Sequence, residues 1–185
     1  MNHTVAEAYG IDAAVKRIQS ELYSELISRW SLTGNPSTKI NGYGRVYKNP
    51  KNFNKVPEAY VGKREYEDVF YDDRANANFF FLVSDDSAST DEMVFTNSTK
   101  VVFCLNLEKC ISGNDRMDAL AHKDAVEILR NISSSGRYII EGYETGLENI
   151  FSGYSTSGIK YDDLQPYHCF AVNIKLNYYL NDKCI

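Results

Sequence analysis

The residues of this chain that could do chemistry are few. They are the cysteines at 104, 110, 169 and 184, three histidines, and the adjacent acid pairs Asp72/Asp73, Asp85/Asp86 and Asp91/Glu92. His168 and Cys169 are neighbours, and an imidazole beside a thiol makes a nucleophile pair when the two come within hydrogen-bond reach. Consecutive residues of an extended segment project to opposite faces, so these two cannot serve each other directly. Cys104 can approach Cys169 across a sheet, where a buried thiol reads first as a small hydrophobe. Paired carboxylates can bind Mg²⁺ or share acid–base work. All three pairs fall in segments read as loops, which favours solvated surface. His122 falls off the apolar stripe of its helix and is predicted exposed. His3 lies in a terminus expected to fray.

Motif searches add nothing to that inventory. The 104/110 spacing fits no common zinc pattern, and no Cys-x-x-Cys is present. Gly42-Tyr43-Gly44 resembles no phosphate loop, and the P-loop, dinucleotide and G-x-S-x-G signatures are missing. The residues therefore assign no catalytic, metal or cofactor site, and the expectation is a protein that is not an enzyme.

The elements that must position these residues follow from periodicity. Phe170, Val172, Ile174, Leu176, Tyr178 and Leu180 alternate with Ala171, Asn173, Lys175, Asn177 and Tyr179, a period of two that predicts a long terminal strand. Val15, Ile18, Leu22, Leu26 and Trp30 form a helical stripe over 12–30, with Asp12 as its cap and Gly34 and Pro36 as stop signals. Met117, Leu120, Ala121, Ala125, Ile128, Leu129 and Ile132 predict a second helix over 115–132, capped by Asp115 and closed near Gly136. Phe79 to Val83 is a continuous apolar run suited to a strand covered on both faces. Lys100 to Leu107 alternates. The stretch 84–97 is acidic and serine-rich and reads as an exposed loop. Residues 138–153 leave strand and short helix both open.

Between 37 and 73 the composition turns to Asn, Gly, Tyr, Lys and Pro. Tyr43–Lys48, Ala59–Gly62 and Tyr66–Tyr71 could be strands, with a turn at Asn49-Pro50-Lys51-Asn52. An excursion of this kind is either a functional surface or a loop packed on its own domain. The expected fold is one α+β domain over 1–185. It has a mostly antiparallel sheet, two main helices packed on one face, and 37–73 as a protruding hairpin or loop insertion.

Bulk properties agree. The chain has 185 residues and 43% hydrophobic content, enough for one real core. Its 14 Tyr and 9 Phe favour strands and contact surfaces. The net charge of −5 excludes a chain-wide basic footprint for nucleic acid. Met1 to Gly10 lacks a basic start and an apolar stretch, so no secretory signal is expected and the thiols are read as reduced in a cytosol-like compartment. Without secretion the acceptor triplets at Asn97 and Asn131 carry no meaning. No run of ~18 apolar residues predicts a membrane span.

Taken in order, several of these pieces resemble a known family. They are the first amphipathic helix, the 79–83 and 100–107 strands, and the 115–132 helix. Gly146-Leu147-Glu148-Asn149-Ile150-Phe151-Ser152-Gly153-Tyr154, the lead-in Leu164-Gln165-Pro166-Tyr167-His168-Cys169-Phe170 and the terminal strand complete the set. This order is similar to the tail terminator and neck-ring proteins of tailed bacteriophages, over residues 12–30 and from about 79 onward. The length of 37–73 departs from the compact members. The resemblance implies a structural virion protein, assembled in the host cytoplasm. Such a protein forms a ring, usually sixfold and twelvefold in some neck components, that caps the tail tube and joins it to the head connector. Its implied partners are itself, the connector and neck proteins, the tube proteins, and genomic DNA passing without specific binding. No membrane or cofactor is implied.

Heterologous contacts that close a ring suit such a chain, with one subunit's hairpin pairing to its neighbour's sheet edge. Tyr60, Tyr66, Phe70 and Tyr71 are the candidate interface anchors in the 37–73 hairpin. Two other readings stand beside this one. The first is a small α+β enzyme or ligand-binding module. Its pocket would be lined by Tyr43, Tyr47, Tyr60, Tyr66 and Tyr71, with Glu65, Glu67, Asp72 and Asp73 as acids. The second is a tail-tube or baseplate component of related fold.

Overall fold

A computed structural model of the chain describes residues 1–30, 39–51, 54–71, 74–90, 93–111, 117–133, 136–159 and 164–184. Two short strands, β1 (Asn2–His3) and β2 (Ala8–Tyr9), lead into helix α1 (Ile11–Arg29). Strands β3 (Ile40–Lys51), β4 (Asn54–Gly62) and β5 (Glu65–Asp68) follow, then the long pair β6 (Ala77–Ser89) and β7 (Val94–Asn106). A single turn, α2 (Leu107–Cys110), precedes helix α3 (Asp118–Ile132). Strand β8 (Tyr138–Thr145), the turn α4 (Leu147–Ile150), strand β9 (Tyr167–Tyr179) and β10 (Lys183–Cys184) complete the chain.

The main sheet runs β5-β4-β3-β6-β7-β9-β8, with β1 added beside β3. Every pairing along that order is antiparallel except β3 with β6, and β1 also runs parallel to β3. This is the expected α+β class. The alternation of the terminal segment becomes β9, which pairs with β7 from Val94↔Tyr179 to Asn106↔Tyr167. Leu180 departs from the expected pattern. The strand ends before it, and its side chain is exposed.

The period-two rule also sorts the core. Phe79, Phe81, Val101, Phe103, Leu105, Phe170, Val172 and Ile174 point to the face that α1 and α3 cover. Phe103 stacks on Phe170 with ring centroids 4.9 Å apart, at the centre of that layer. Phe80, Leu82, Val102, Cys104, Cys169 and Ala171 point to the opposite face. There a smaller lid of Val69, Phe70, Tyr71, Ile150 and Phe151 closes over them. The 79–83 run is apolar throughout because both of its faces are covered.

The helices are joined to each other by a polar cluster. Trp30 follows α1, and its indole Nε1–H donates to the buried Asp124 carboxylate of α3 at 3.2 Å. Arg29 bonds the other Asp124 oxygen, also at 3.2 Å. The predicted cap of α1 is not the one used. Gly10 caps α1 with φ 55°, and its N–H donates to Asp182 O, while Asp12 falls in the first turn. The chain must turn sharply out of β2 there, and only glycine takes that backbone without strain. Helix α3 begins at Asp118 after Met117; Asp115 lies outside the described residues.

Within the stretch 84–97, residues 84–89 and 94–97 are strand rather than loop. Strand β6 continues to Ser89 and pairs with β7 from Ser87↔Asn97 to Ser89↔Phe95. A bulge falls between Val83 and Ser87, and the buried Asn97 amide fills it by donating to Ser84 O, Asp86 O and Ser87 Oγ. Composition alone hides this arm because neither face of distal β6 is covered. Residues Ser84 to Ser89 are exposed throughout.

The 37–73 region is more integrated than an insertion. Residues Ile40 to Arg45 of β3 pair with β6 inside the main sheet. Ile40, Tyr43, Val46, Ala59, Val69, Phe70 and Tyr71 are buried, so the region contributes to the core. Only beyond Arg45 does β3 continue with β4 as a hairpin past the edge of β6. Gly42 is required inside the β3–β6 pairing, directly opposite Phe79, since a Cβ on it would lie 2.6 Å from the Phe79 ring. The open question at 138–153 resolves into both alternatives, β8 and then α4.

Candidate functional site

Among the clefts on the described residues, two of similar size border residues singled out from the sequence. The first, about 510 Å³, lies between α1, the N-terminal strands and β3–β5. Tyr47, Tyr60 and Tyr66 line it. Tyr66 meets Tyr47 and Tyr60 edge-on, with centroids 5.9 and 5.4 Å apart. Arg45 lies over the Tyr47 ring at 5.3 Å and 3.8 Å from Asp12 Oδ1. Burial raises the Asp12 carboxyl above its ordinary value, and Arg45 opposes the shift. Burial raises the Tyr47 phenol too, helped by the Asp12 charge. The arrangement is an aromatic shelf with one cation and one carboxylate. It can hold a planar or cationic group.

The predicted site residues divide on this geometry. Tyr60 and Tyr66 are at least partly accessible in the first cleft, Tyr66 at 46% exposure. Phe70 and Tyr71 are corrected as interface candidates, because they are buried within their own chain on the opposite face. Phe70 packs edge-on to Phe151, and Tyr71 packs against Tyr167 and donates to Ala75 O. Tyr43 is buried beneath His3 rather than lining a pocket. Glu65 and Glu67 are exposed on β5; Asp72, Asp73, Asp91 and Glu92 lie outside the described residues.

His3 is not frayed. Strand β1 pairs with β3, and the His3 ring stacks on Tyr43 with centroids 4.7 Å apart. The buried Gln19 amide of α1 ties this strand down by donating to Asn2 Oδ1, His3 O and Gly42 O. Burial lowers the His3 pKa; nearby Glu67 raises it and the Met1 amine lowers it. A folded-state value below the unfolded one means that the unfolded chain takes up more protons. The stabilisation is complete above the unfolded value near 6.5 and is lost as pH falls through the lower folded value. Thermal melts between pH 7.5 and 5 should therefore fall more steeply for the wild type than for His3→Phe, which keeps the stack without the titration. Equal slopes would remove His3 from the account.

The second cleft, about 520 Å³, lies on the half of the sheet that the small lid leaves open. Its floor is Ser98, Lys100 and Asn173, and its walls are the β6–β7 arm, Glu144 and Tyr154. Lys100 Nζ donates to Asn149 O at 2.8 Å and pairs with Glu144 at 2.7 Å. That cation holds α4 against β8. Asp85 is exposed on the arm and ion-pairs with Lys48 of β3.

Two further pairs were only partly legible. Cys104 and Cys169 do meet across the sheet, with Sγ atoms 3.3 Å apart. His122 is corrected from exposed to half-buried. Its Nε2 lies 2.8 Å from Nε2 of the buried His168, between Phe170 and Tyr143. The parity of β9 carried that signal, because His168 shares a face with Phe170 and α3 packs on that face. As predicted, this places His168 and Cys169 on opposite faces. Among the described residues no group of three His, Cys, Asp or Glu side chains is placed to hold a metal ion. No described helix is long and apolar enough to cross a membrane.

No protein-family model matches this chain, and no curated protein matches it in sequence.

Proposed function

We propose that the protein is a structural ring subunit of a tailed-phage neck or tail end, joining the head connector to the tail and lining the DNA channel. The observation that carries this reading is the unlike character of the open edges of one sheet. The edge strand β8 runs eight residues and displays Ile139 at 63% and Tyr143 at 58% exposure. At the other end β5 has four residues, and Glu65, Glu67 and Asp68 all stand exposed on it. Charge and shortness protect an edge against pairing, whereas a long edge with apolar side chains invites it. Two unlike surfaces on one chain are what a heterologous, ring-closing contact uses.

The neighbour's contribution to β8 is its distal β6, which is exposed from Ser84 to Ser89 and lies beyond the last β3 pairing at Phe81. Strand addition to a sheet edge supplies main-chain hydrogen bonds, and the exposed apolar side chains supply anchors. The net charge of −5 suits a lumen that repels DNA phosphate and lets the genome slide. A sixfold ring is expected, with a twelvefold one as the variant.

A ligand-binding module is the second reading, favoured by the first cleft, whose volume falls in the range of small-molecule sites. Mass photometry and negative-stain images of the purified protein separate the two. Particles at a sixfold or twelvefold multiple of the 21.0 kDa chain, with a central hole, are expected for a ring subunit. A strict monomer at micromolar concentration, with or without the head connector, overturns it.

A further inference from the structure

We propose that Cys104 and Cys169 form a latent disulfide site, a dithiol that a small disulfide oxidant closes into a covalent staple between β7 and β9. The two residues are direct partners in the antiparallel ladder, and their Sγ atoms are in contact at 3.3 Å. Directly opposed residues of such a ladder have Cα atoms roughly 4.5–5.5 Å apart. That range lies inside the span of about 4.4–6.8 Å that a disulfide bridges. A Cα separation in that range leaves the remaining sulfur gap to be closed by side-chain rotation.

The setting makes the pair selective. Both thiols are 6% exposed and border a small cavity walled by Phe70, Leu147, Phe151, Ile159 and Tyr167. Leu147, Ile159 and Tyr167 are only half-buried, so the cover is thin where α4 and its following turn cross the sheet. Local opening of that cover admits a small oxidant. The Cys110 S–H donates to Asn76 O, and burial pushes this thiol up to about 12, which keeps it protonated.

The exchange balances with a glutathione-type disulfide as the oxidant. One protein thiol loses its proton, and the thiolate attacks a sulfur of the oxidant, releasing one small thiol that takes up a proton. The second protein thiol then loses its proton and attacks the mixed disulfide at the protein sulfur, releasing the other small thiol. Two protein S–H bonds and one oxidant S–S bond are broken, and one protein S–S bond and two small-thiol S–H bonds form. The protein is oxidised by two electrons and the oxidant is reduced by two. The residues joined are 65 apart in sequence, so the staple closes a long loop of the unfolded chain. It does so whether or not the chain forms rings.

The test uses the full-length reduced protein with excess oxidised glutathione at pH 8, trapping of remaining thiols with iodoacetamide, intact mass and peptide mapping. The expected result is one linked peptide pair joining residues 104 and 169, two hydrogens lighter than the two free peptides, and reversal by dithiothreitol. The oxidised form should melt higher by on the order of 10 °C. Cys169→Ala should show neither the link nor the shift, and Cys104→Ala serves equally if that variant does not fold. Full alkylation of both thiols after the treatment overturns the proposal. So does a stable glutathione adduct on Cys104 or Cys169 that never resolves, or a melting temperature lowered by formation of the link.

Discussion

Ile139→Asp should abolish the proposed ring and leave folded monomers. Ile139 is exposed on the outer strand of the sheet and lies directly opposite Lys175 of β9. In the free chain the new carboxylate pairs with that lysine across the strands, so the monomer melt should stay within about 2 °C of wild type. In a strand-addition contact the same substitution removes an apolar anchor worth about 2 kcal/mol and buries a charge. A loss of ~3 kcal/mol weakens each contact about 100-fold. Sedimentation velocity at micromolar concentration reads the result. Rings that persist would move the interface away from β8. A variant that fails to fold would show that Ile139 serves the monomer instead.

The second large effect concerns the layer on which the helices rest. Phe103 is 1% exposed, stacks on Phe170 and also packs against Phe79, with ring centroids 6.3 Å apart. Phe103→Ala removes a buried ring from the centre of the sheet, where neighbours on β6 and β9 are held by their ladders and cannot collapse into the space. The expected loss is about 4 kcal/mol, a large fraction of the ~5–15 kcal/mol that holds an ordinary domain together. The melting temperature should drop by on the order of 10 °C, read by calorimetry. Phe103→Leu keeps most of the volume and should recover more than half of that loss. If both variants lose the same amount, ring stacking rather than cavity formation governs the site.

Elements with strong periodicity were readable from the chain. Alternation from Phe170 to Tyr178 is set by each residue's own position on a pleat, and it also told which face His168 shares. The 15–30 stripe and the 117–132 stripe identified α1 and α3 for the same local reason. The misreadings have local reasons as well. Distal β6 is covered on neither face, so its Ser- and Asp-rich residues show no apolar alternation, and it reads as a loop. Asp12 has the composition of a cap, but the approach from β2 needs a glycine conformation, and Gly10 took the position. Phe70 and Tyr71 look like surface anchors in an Asn- and Tyr-rich stretch, yet the second face of the sheet needs a lid and they provide it.

The sequence alone therefore determined the types of the strongly periodic elements, the α+β class, the double cover of proximal β6 and the alternation of β9. These depend on spacing along the chain, where each side chain's direction follows from its neighbours' backbone. Only the tertiary structure decided which strands became edges and that two cysteines 65 residues apart touch. It also decided that His122 and His168 meet, and that Tyr47, Tyr60 and Tyr66 share a cleft. Those facts depend on strand order and register, which bring distant segments together and leave no local periodic signal.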